Sequence, residues 1–185
     1  MIYLNGYKIF KEGKGNRDPI FLEALSLLEG KPANILEIGA MRDVNGRAGD
    51  GFSTFFFAEY IKQYGGHITV CDISKNGLDN CRQILGEYLD NTQITYHLGP
   101  GLNHLTNTSE IYNLTLLDGS DDPNEMLAEY EACKSRFILC DDFSTKGFLL
   151  RQKYPDFKLY KWHHAGHECA LYGVPKETVF LPNLL

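Results

Sequence analysis

The sequence lacks the features that mark several classes of protein. Its Lys and Arg residues form no cluster that could neutralise a phosphate backbone, and the formal net charge is -6, which argues against nucleic-acid binding. No apolar run approaches the roughly 20 residues that cross a bilayer, and residues 1–18 lack the apolar centre of a signal peptide. We therefore expect a cytoplasmic protein that binds neither nucleic acid nor membranes.

Cysteine frameworks, repeats and linkers are also missing. The five cysteines show neither metal-ligand spacing nor a paired pattern, so small buried thiols in a reducing compartment are expected. The 185 residues contain no internal repeat or low-complexity tract and suit a single domain. We expect an N-terminal extension over 1–17, with a hairpin pattern around Asn5-Gly6, a core over 18–174 and a tail over 175–185.

Short apolar runs alternate with helical patterns along the chain. The predicted strands are 34–38, 67–71, 92–97, 112–117, 136–140, 157–162 and 168–173, and the predicted helices are 19–28, 52–64, 75–89, 100–105, 123–133 and 148–154. The alternation predicts an α/β fold with a mostly parallel seven-stranded sheet, helices on both faces and a C-terminal antiparallel hairpin. Such a sheet binds ligands at the carboxyl ends of its strands.

The first of these strands runs into a glycine-containing turn. Gly39, Gly46, Gly49 and Gly51 do not form the G-x-G-x-x-G pattern of dinucleotide-binding proteins. Glu37, two residues before the first glycine, would repel a pyrophosphate and suits a cationic ligand. S-adenosylmethionine is such a ligand, because it carries a sulfonium and an ammonium group, whereas NAD carries a pyrophosphate. The turn therefore disfavours an NAD-dependent oxidoreductase.

Glu37-Ile38-Gly39-Ala40 followed by Gly51-Phe52-Ser53 resembles the class I S-adenosylmethionine-dependent methyltransferases, most closely the catechol O-methyltransferase pattern. The resemblance covers about residues 18 to 174 and implies a Rossmann-like methyltransferase fold. It also implies S-adenosylmethionine as cofactor, bound by Glu37, Gly39, Ala40, Gly51 and Ser53. The loop over 41–50 is several residues longer than the usual turn of that family.

Two later strand ends add candidate cofactor contacts. Asp72 ends the second predicted strand, where a carboxylate can accept both ribose hydroxyls of a nucleoside, and the resemblance makes it the ribose ligand. The alternative is that Asp72 caps the helix over 75–89. Leu98 and Gly99 stand where relatives carry Gly-Asp-Ser at the adenine edge. Without that acid, backbone groups near these two residues are the expected adenine contacts.

Aspartates follow the fourth and fifth predicted strands. Because neighbouring strands lie about 5 Å apart, Asp118, Asp141 and Asp142 would repel one another unless they are protonated or bridged by a cation. Oxygen ligands suit Mg²⁺, with Mn²⁺ or Ca²⁺ as replacements. The catechol and macrolide-sugar O-methyltransferases, which the chain resembles, carry metal ligands at these positions. Asp118 is also expected beside the cofactor. The alternative is that Asp121, Asp122 and Asp142 are helix caps, above all Asp121 and Asp122.

Three histidines occupy the turn between the last two predicted strands. His163, His164 and His167 are candidate general bases, because a pKa of about 6.5 suits proton removal at neutral pH. The alternative is that each is a solvated turn residue. The lysine that catechol enzymes carry shortly after the first metal ligand has no counterpart in 119–124.

The leading hypothesis is methyl transfer from S-adenosylmethionine to a hydroxyl of a small-molecule acceptor, assisted by Mg²⁺. The alternative is a nucleoside-binding, methyltransferase-like module that performs no methylation. The identity of the acceptor and homo-oligomerisation stay open.

Overall fold

A computed structural model of the protein describes residues 18–40, 53–86, 88–162 and 167–181. The strands are β1 (Ala33–Ile38), β2 (Gly66–Asp72), β3 (Ile94–Leu98), β4 (Tyr112–Leu117), β5 (Ser135–Cys140), β6 (Lys158–Trp162), β7 (Glu168–Tyr172) and β8 (Glu177–Leu181). The helices are α1 (Asp18–Ser26), α2 (Ser53–Tyr64), α3 (Lys75–Leu85), α4 (Gly101–Asn107), α5 (Pro123–Ala132), α6 (Phe143–Lys146) and α7 (Phe148–Lys153). None of the helices in the described part of the chain has the length and hydrophobicity of a membrane span.

The strands form one sheet in the order β3-β2-β1-β4-β5-β7-β6-β8. The first five strands in the chain are parallel to one another. Strand β7 lies antiparallel between β5 and β6. The predicted α/β architecture, with a mostly parallel sheet and a C-terminal antiparallel hairpin, is therefore confirmed.

The sheet has eight strands rather than the predicted seven. Strand β8 lies in the segment that was expected to be a tail, and it pairs in parallel with β6 from Lys158↔Glu177 to Trp162↔Leu181. Pairing is favourable because the edge of β6 would otherwise present unsatisfied backbone N–H and C=O groups. The hairpin predicted around Asn5-Gly6 lies outside the described residues.

Two apolar layers cover the faces of the sheet. Helices α1, α2 and α3 pack on one face, where Phe21 stacks on Phe56 with ring centroids 5.4 Å apart. Helices α4, α5, α6 and α7 pack on the other face, around residues such as Phe143. Side chains alternate across the sheet, so Ile35 enters the first layer while Leu36 enters the second. The sheet is thus buried on both sides, and its strand ends are left to form a site.

The strand register brings two of the candidate residues, Gly39 and Asp118, together. Ile38 at the end of β1 pairs with Cys71 of β2 and with Leu117 of β4. The residues that come next, Gly39 and Asp118, approach so closely that a Cβ at Gly39 would lie 2.7 Å from the Asp118 carbonyl oxygen. Gly39 also has φ +99°, which L side chains rarely adopt. A glycine is required at this position.

Candidate cofactor and acceptor site

A crevice lies at the carboxyl ends of the parallel strands. It is lined by Ile38, Gly39, Cys71, Asp72, Ile73, Gly99, Pro100, Gly101, Gly119, Ser120, Glu125 and Glu129. A Cβ at Gly101 would lie 2.4 Å from Cγ2 of Ile38, and one at Gly119 would lie 2.6 Å from the same atom. The missing side chains let the loops after β3 and β4 close onto the end of β1. The crevice is therefore built where the strand order of the sheet reverses, the usual place for a ligand in this class of fold.

The Asp72 side chain is held in one orientation at the rim of the crevice. One carboxylate oxygen accepts a hydrogen bond from the Ala40 amide at 2.7 Å, and the other accepts one from the Ser74 amide at 2.6 Å. The N-cap of α3 is Ser74, whose side chain accepts from the Gly77 amide, so Asp72 is not the capping residue. A carboxylate fixed in this way can still accept hydrogen bonds from two neighbouring hydroxyls. The amide of Ala40, in contrast, is occupied by Asp72.

Two exposed apolar side chains flank this carboxylate. Ile73 lines the crevice and is 72% exposed, and Leu98 at the end of β3 is 55% exposed. Leu98 and Gly99 also line an open groove of about 560 Å³ that contains His97 and His104. Exposed apolar groups beside a fixed carboxylate suit a flat ring attached to a sugar. Ile73 was not predicted from the sequence, although an isoleucine directly after an acidic strand end, where turns are usually polar, is a readable signal.

Glu37 is completely buried at the end of β1, and the Ser53 hydroxyl at the start of α2 donates a hydrogen bond to its Oε1. Burial raises the pKa of Glu37 to about 8, hydrogen bonds from Ser53 and Thr54 oppose that rise, and the Asp118 and Asp72 carboxylates add to it. Asp72 and Asp118 thus place negative charge beside Glu37 at the strand ends, which favours a cationic ligand. Gly51 lies outside the described residues.

Helix α5 contributes two glutamates that the sequence analysis also missed. Glu125 and Glu129 line the crevice, and Glu129 is only 2% exposed. Burial raises the pKa of Glu129 to about 7, Glu125 adds to the rise, and Lys146 together with a backbone hydrogen bond from Leu102 opposes it. These residues make the crevice more acidic than the strand ends alone would. Because they lie on a helix rather than at the end of a strand, the pattern of strand ends gave no signal for them in the sequence.

The aspartates after β4 and β5 surround a lysine. The ammonium nitrogen of Lys146 lies 2.9 Å from Oδ1 of Asp118, 3.6 Å from Oδ1 of Asp121 and 3.7 Å from Oδ2 of Asp142. Burial by itself would lower the pKa of Lys146, but these carboxylates raise it above its ordinary value. Lys146 is therefore a permanent cation. Lys146 was not among the residues predicted from the sequence.

The two consecutive aspartates turn to opposite sides. Asp142 adopts a left-handed conformation, with φ 46° and ψ 39°. Its carboxylate faces Lys146, whereas Oδ1 of the buried Asp141 accepts hydrogen bonds from the Asp142 amide at 2.8 Å and from Sγ of Cys169 at 2.9 Å. The three carboxylates thus do not converge on one point.

This arrangement does not fit the predicted divalent ion. Mg²⁺ needs oxygen ligands that converge at about 2.1 Å, and Lys146 stands between Asp118 and Asp142. In the part of the chain that the structure describes, no three His, Cys, Asp or Glu side chains are grouped to hold a metal. The metal assignment of Asp118, Asp141 and Asp142 stays a prediction, and the position of Lys146 disfavours it.

One of the three candidate bases belongs to the described part of the chain. His167 is 64% exposed, and its Nδ1 lies 3.4 Å from Oδ1 of Asp142. Strand β7 runs antiparallel to β5, so its first residues and His167 lie at the edge where β4 and β5 end. Asp142 therefore lies between a fixed cation and an accessible imidazole. His163 and His164 lie outside the described residues.

No protein-family model and no curated protein matches the chain by sequence. Solved structures do match it. A protein from Klebsiella pneumoniae, provisionally classed as an O-methyltransferase, is 16% identical with a TM-score of 0.59, and the match covers 92% of this chain and 82% of that one. An O-methyltransferase from Bacillus cereus, solved with S-adenosylhomocysteine, is 18% identical with a TM-score of 0.57, over 82% and 77% of the two chains.

A third match is a protein from Staphylococcus aureus, provisionally classed as a caffeoyl-CoA O-methyltransferase, at 17% identity and a TM-score of 0.56, over 83% and 81% of the two chains. Some matched structures are longer, and the chain spans only 47% of one of them. At such low identities the similarity establishes the fold. The chain has the Rossmann-like fold of class I S-adenosylmethionine-dependent methyltransferases.

Proposed function

We propose that the chain is an S-adenosylmethionine-dependent methyltransferase that transfers a methyl group to a hydroxyl of a small-molecule acceptor. The observation that carries this proposal is the fixed Asp72 carboxylate at the rim of the crevice, with the exposed Ile73 beside it. A carboxylate with both oxygens oriented by amides is suited to a ribose diol, and the apolar neighbour is suited to the adenine ring.

The charge of the site favours S-adenosylmethionine over NAD. Asp72, Glu37 and Asp118 stand at the ends of three adjacent strands, and the pKa of Glu37 is raised mainly by burial and further by the Asp118 and Asp72 carboxylates. A pyrophosphate would add negative charge at the same place, whereas a sulfonium and an ammonium group would compensate it. Binding of the cationic cofactor should therefore stabilise the ionised form of Glu37.

His167 is the residue we assign as general base. A neutral imidazole removes the proton from the acceptor hydroxyl, the oxygen forms a bond to the methyl carbon, and the carbon–sulfur bond breaks to leave neutral S-adenosylhomocysteine. Asp142, 3.4 Å from Nδ1 of His167, orients the imidazole and stabilises the imidazolium that forms. The site also promotes the transfer by holding the acceptor oxygen in line with the S–CH₃ bond.

The similarity to O-methyltransferases supports a hydroxyl acceptor and a transfer reaction. The chemistry of the acceptor beyond its hydroxyl is left open, because 41–52 and 163–166, which flank this edge in sequence, lie outside the described residues. The cytoplasmic location and the small size of the acceptor remain predictions from the sequence.

An assay with methyl-labelled S-adenosylmethionine and a panel of hydroxylated acceptors tests the proposal. We expect transfer by the wild-type protein and a loss of about 100-fold in His167→Asn, the usual effect of removing a general base, with S-adenosylhomocysteine affinity unchanged. His67→Asn, at the amino end of β2 and far from the crevice, is the matched control. Binding of S-adenosylhomocysteine without transfer to any acceptor would favour the alternative of a non-catalytic binding module.

A further inference from the structure

The ammonium group of Lys146 lies where a divalent ion would have to lie. It is within 3.7 Å of one oxygen each of Asp118, Asp121 and Asp142, and 2.9 Å from the nearest. A Mg²⁺ ion held by Asp118 and Asp142 would sit about 2.1 Å from their oxygens, in the space that Nζ fills. The lysine and a metal ion therefore compete for the same carboxylates.

We propose that Lys146 replaces the divalent cation at this edge of the sheet, so that methyl transfer by this chain requires no metal ion. The inference deepens the proposed function and rests on it. Its consequence for specificity is that the acceptor needs no pair of neighbouring oxygens to chelate a metal, and a single hydroxyl is sufficient.

The fold holds Lys146 in place. Its side chain is only 4% exposed, and lysines are almost never buried unless they are paired. Its backbone amide donates to the Asp142 carbonyl at 3.1 Å, and the four-residue α6 fixes the distance between the two residues. Lys153, in contrast, is 55% exposed and pairs with Glu131 on the surface. Lys146 cannot swing into solvent, as Lys153 can, without unpacking α6.

The left-handed conformation of Asp142 makes this pairing specific. It directs Asp142 towards Lys146, while Asp141 is bonded to Cys169 of β7. A non-glycine residue in this conformation is uncommon and persists only where its surroundings demand it. The pair Asp118 and Asp142 is thus matched to one monovalent cation rather than to an octahedral ion.

The test compares the melting temperature of wild type, Lys146→Gln and Lys153→Gln, with and without millimolar MgCl₂ or MnCl₂ at constant ionic strength. Lys146→Gln leaves Asp118 and Asp142 uncompensated, so we expect a lower melting temperature without metal and a rise of about 3 °C on addition of Mg²⁺. Wild type and Lys153→Gln should shift by less than about 1 °C.

The inference would be overturned if the melting temperature of the wild type rose with metal as much as that of Lys146→Gln. It would also be overturned if Lys146→Gln folded and neither ion changed its melting temperature. If Lys146→Gln does not fold, Mn²⁺ titration of the wild type by electron paramagnetic resonance decides. We then expect the signal of free Mn²⁺ to keep its full intensity in the presence of the protein. A loss of that signal when protein and Mn²⁺ are present in equal amounts would contradict the proposal. Affinity for S-adenosylhomocysteine, measured separately, reports on the proposed function and not on this inference.

Discussion

At the scale of single residues, we expect Glu37 to favour binding of the proposed cofactor at a cost to the stability of the folded protein. It is completely buried, and its carboxyl has a pKa of about 8 in the folded protein. The unfolded chain releases this proton above about pH 4.5, so the free energy of unfolding should fall as the pH rises from about 4.5 to about 8. The slope from one such group is about 1.4 kcal/mol per pH unit.

Glu37→Gln should remove this slope. We expect the variant to match or exceed the wild-type free energy of unfolding at pH 8, while its affinity for S-adenosylmethionine falls because the negative charge is gone. Denaturant unfolding at pH 5 and pH 8 measures the first effect, and Glu131→Gln, on the exposed surface of α5, is the control. An unchanged pH dependence in Glu37→Gln would show that Glu37 is ionised in the free protein.

The positions of Glu37, Gly39 and Asp72 could be read from the sequence because each stands at the end of an apolar strand, and parallel strands end together. Lys146 could not be read in this way. Its partner Asp118 is 28 residues away, and the contact depends on how α6 packs against β7 and α5. The different orientations of Asp141 and Asp142 could not be predicted either, because the local sequence does not show that Asp142 adopts a left-handed conformation.

At the scale of elements, the sequence located the strands of the parallel core to within two residues at each end, because buried parallel strands are continuous apolar runs. It missed β8, which is only five residues long and begins two residues after a proline. An edge strand depends on the backbone groups of its neighbour more than on its own composition. Strand β8 therefore became visible only once β6 was placed.

Truncation of the chain after Lys176 should destabilise it. The truncation removes β8, exposes the backbone edge of β6 and deletes the ion pair between Lys158 and Glu177. We expect a melting temperature several degrees lower and greater aggregation. Lys176→Ala, which alters an exposed side chain and keeps β8, is the control. A truncated protein with the wild-type melting temperature would show that β8 does not contribute to stability.

At the scale of the whole molecule, the predicted α/β class with a mostly parallel sheet is confirmed, and the negative charge of the crevice can be assigned to particular residues. Glu37, Asp72, Asp118 and Glu129 gather at one edge of a protein whose formal net charge is -6. Under the proposed function, S-adenosylmethionine supplies a cation at the cofactor end of this edge. At the acceptor end, Lys146 supplies one from within the chain.

Calorimetric titration of the wild-type protein with S-adenosylhomocysteine and, in parallel, with NAD tests the central claim most directly. S-adenosylhomocysteine keeps the ribose, the adenine and the ammonium group, so we expect it to bind and NAD to give no heat of binding. Asp72→Ala should weaken the binding of S-adenosylhomocysteine by about 1.5 to 3 kcal/mol, the range for hydrogen bonds to a charged group. The control Asp79→Ala, on the surface of α3, should leave this binding unchanged. Tighter binding of NAD than of S-adenosylhomocysteine, or equal affinity of wild type and Asp72→Ala for S-adenosylhomocysteine, would contradict the account.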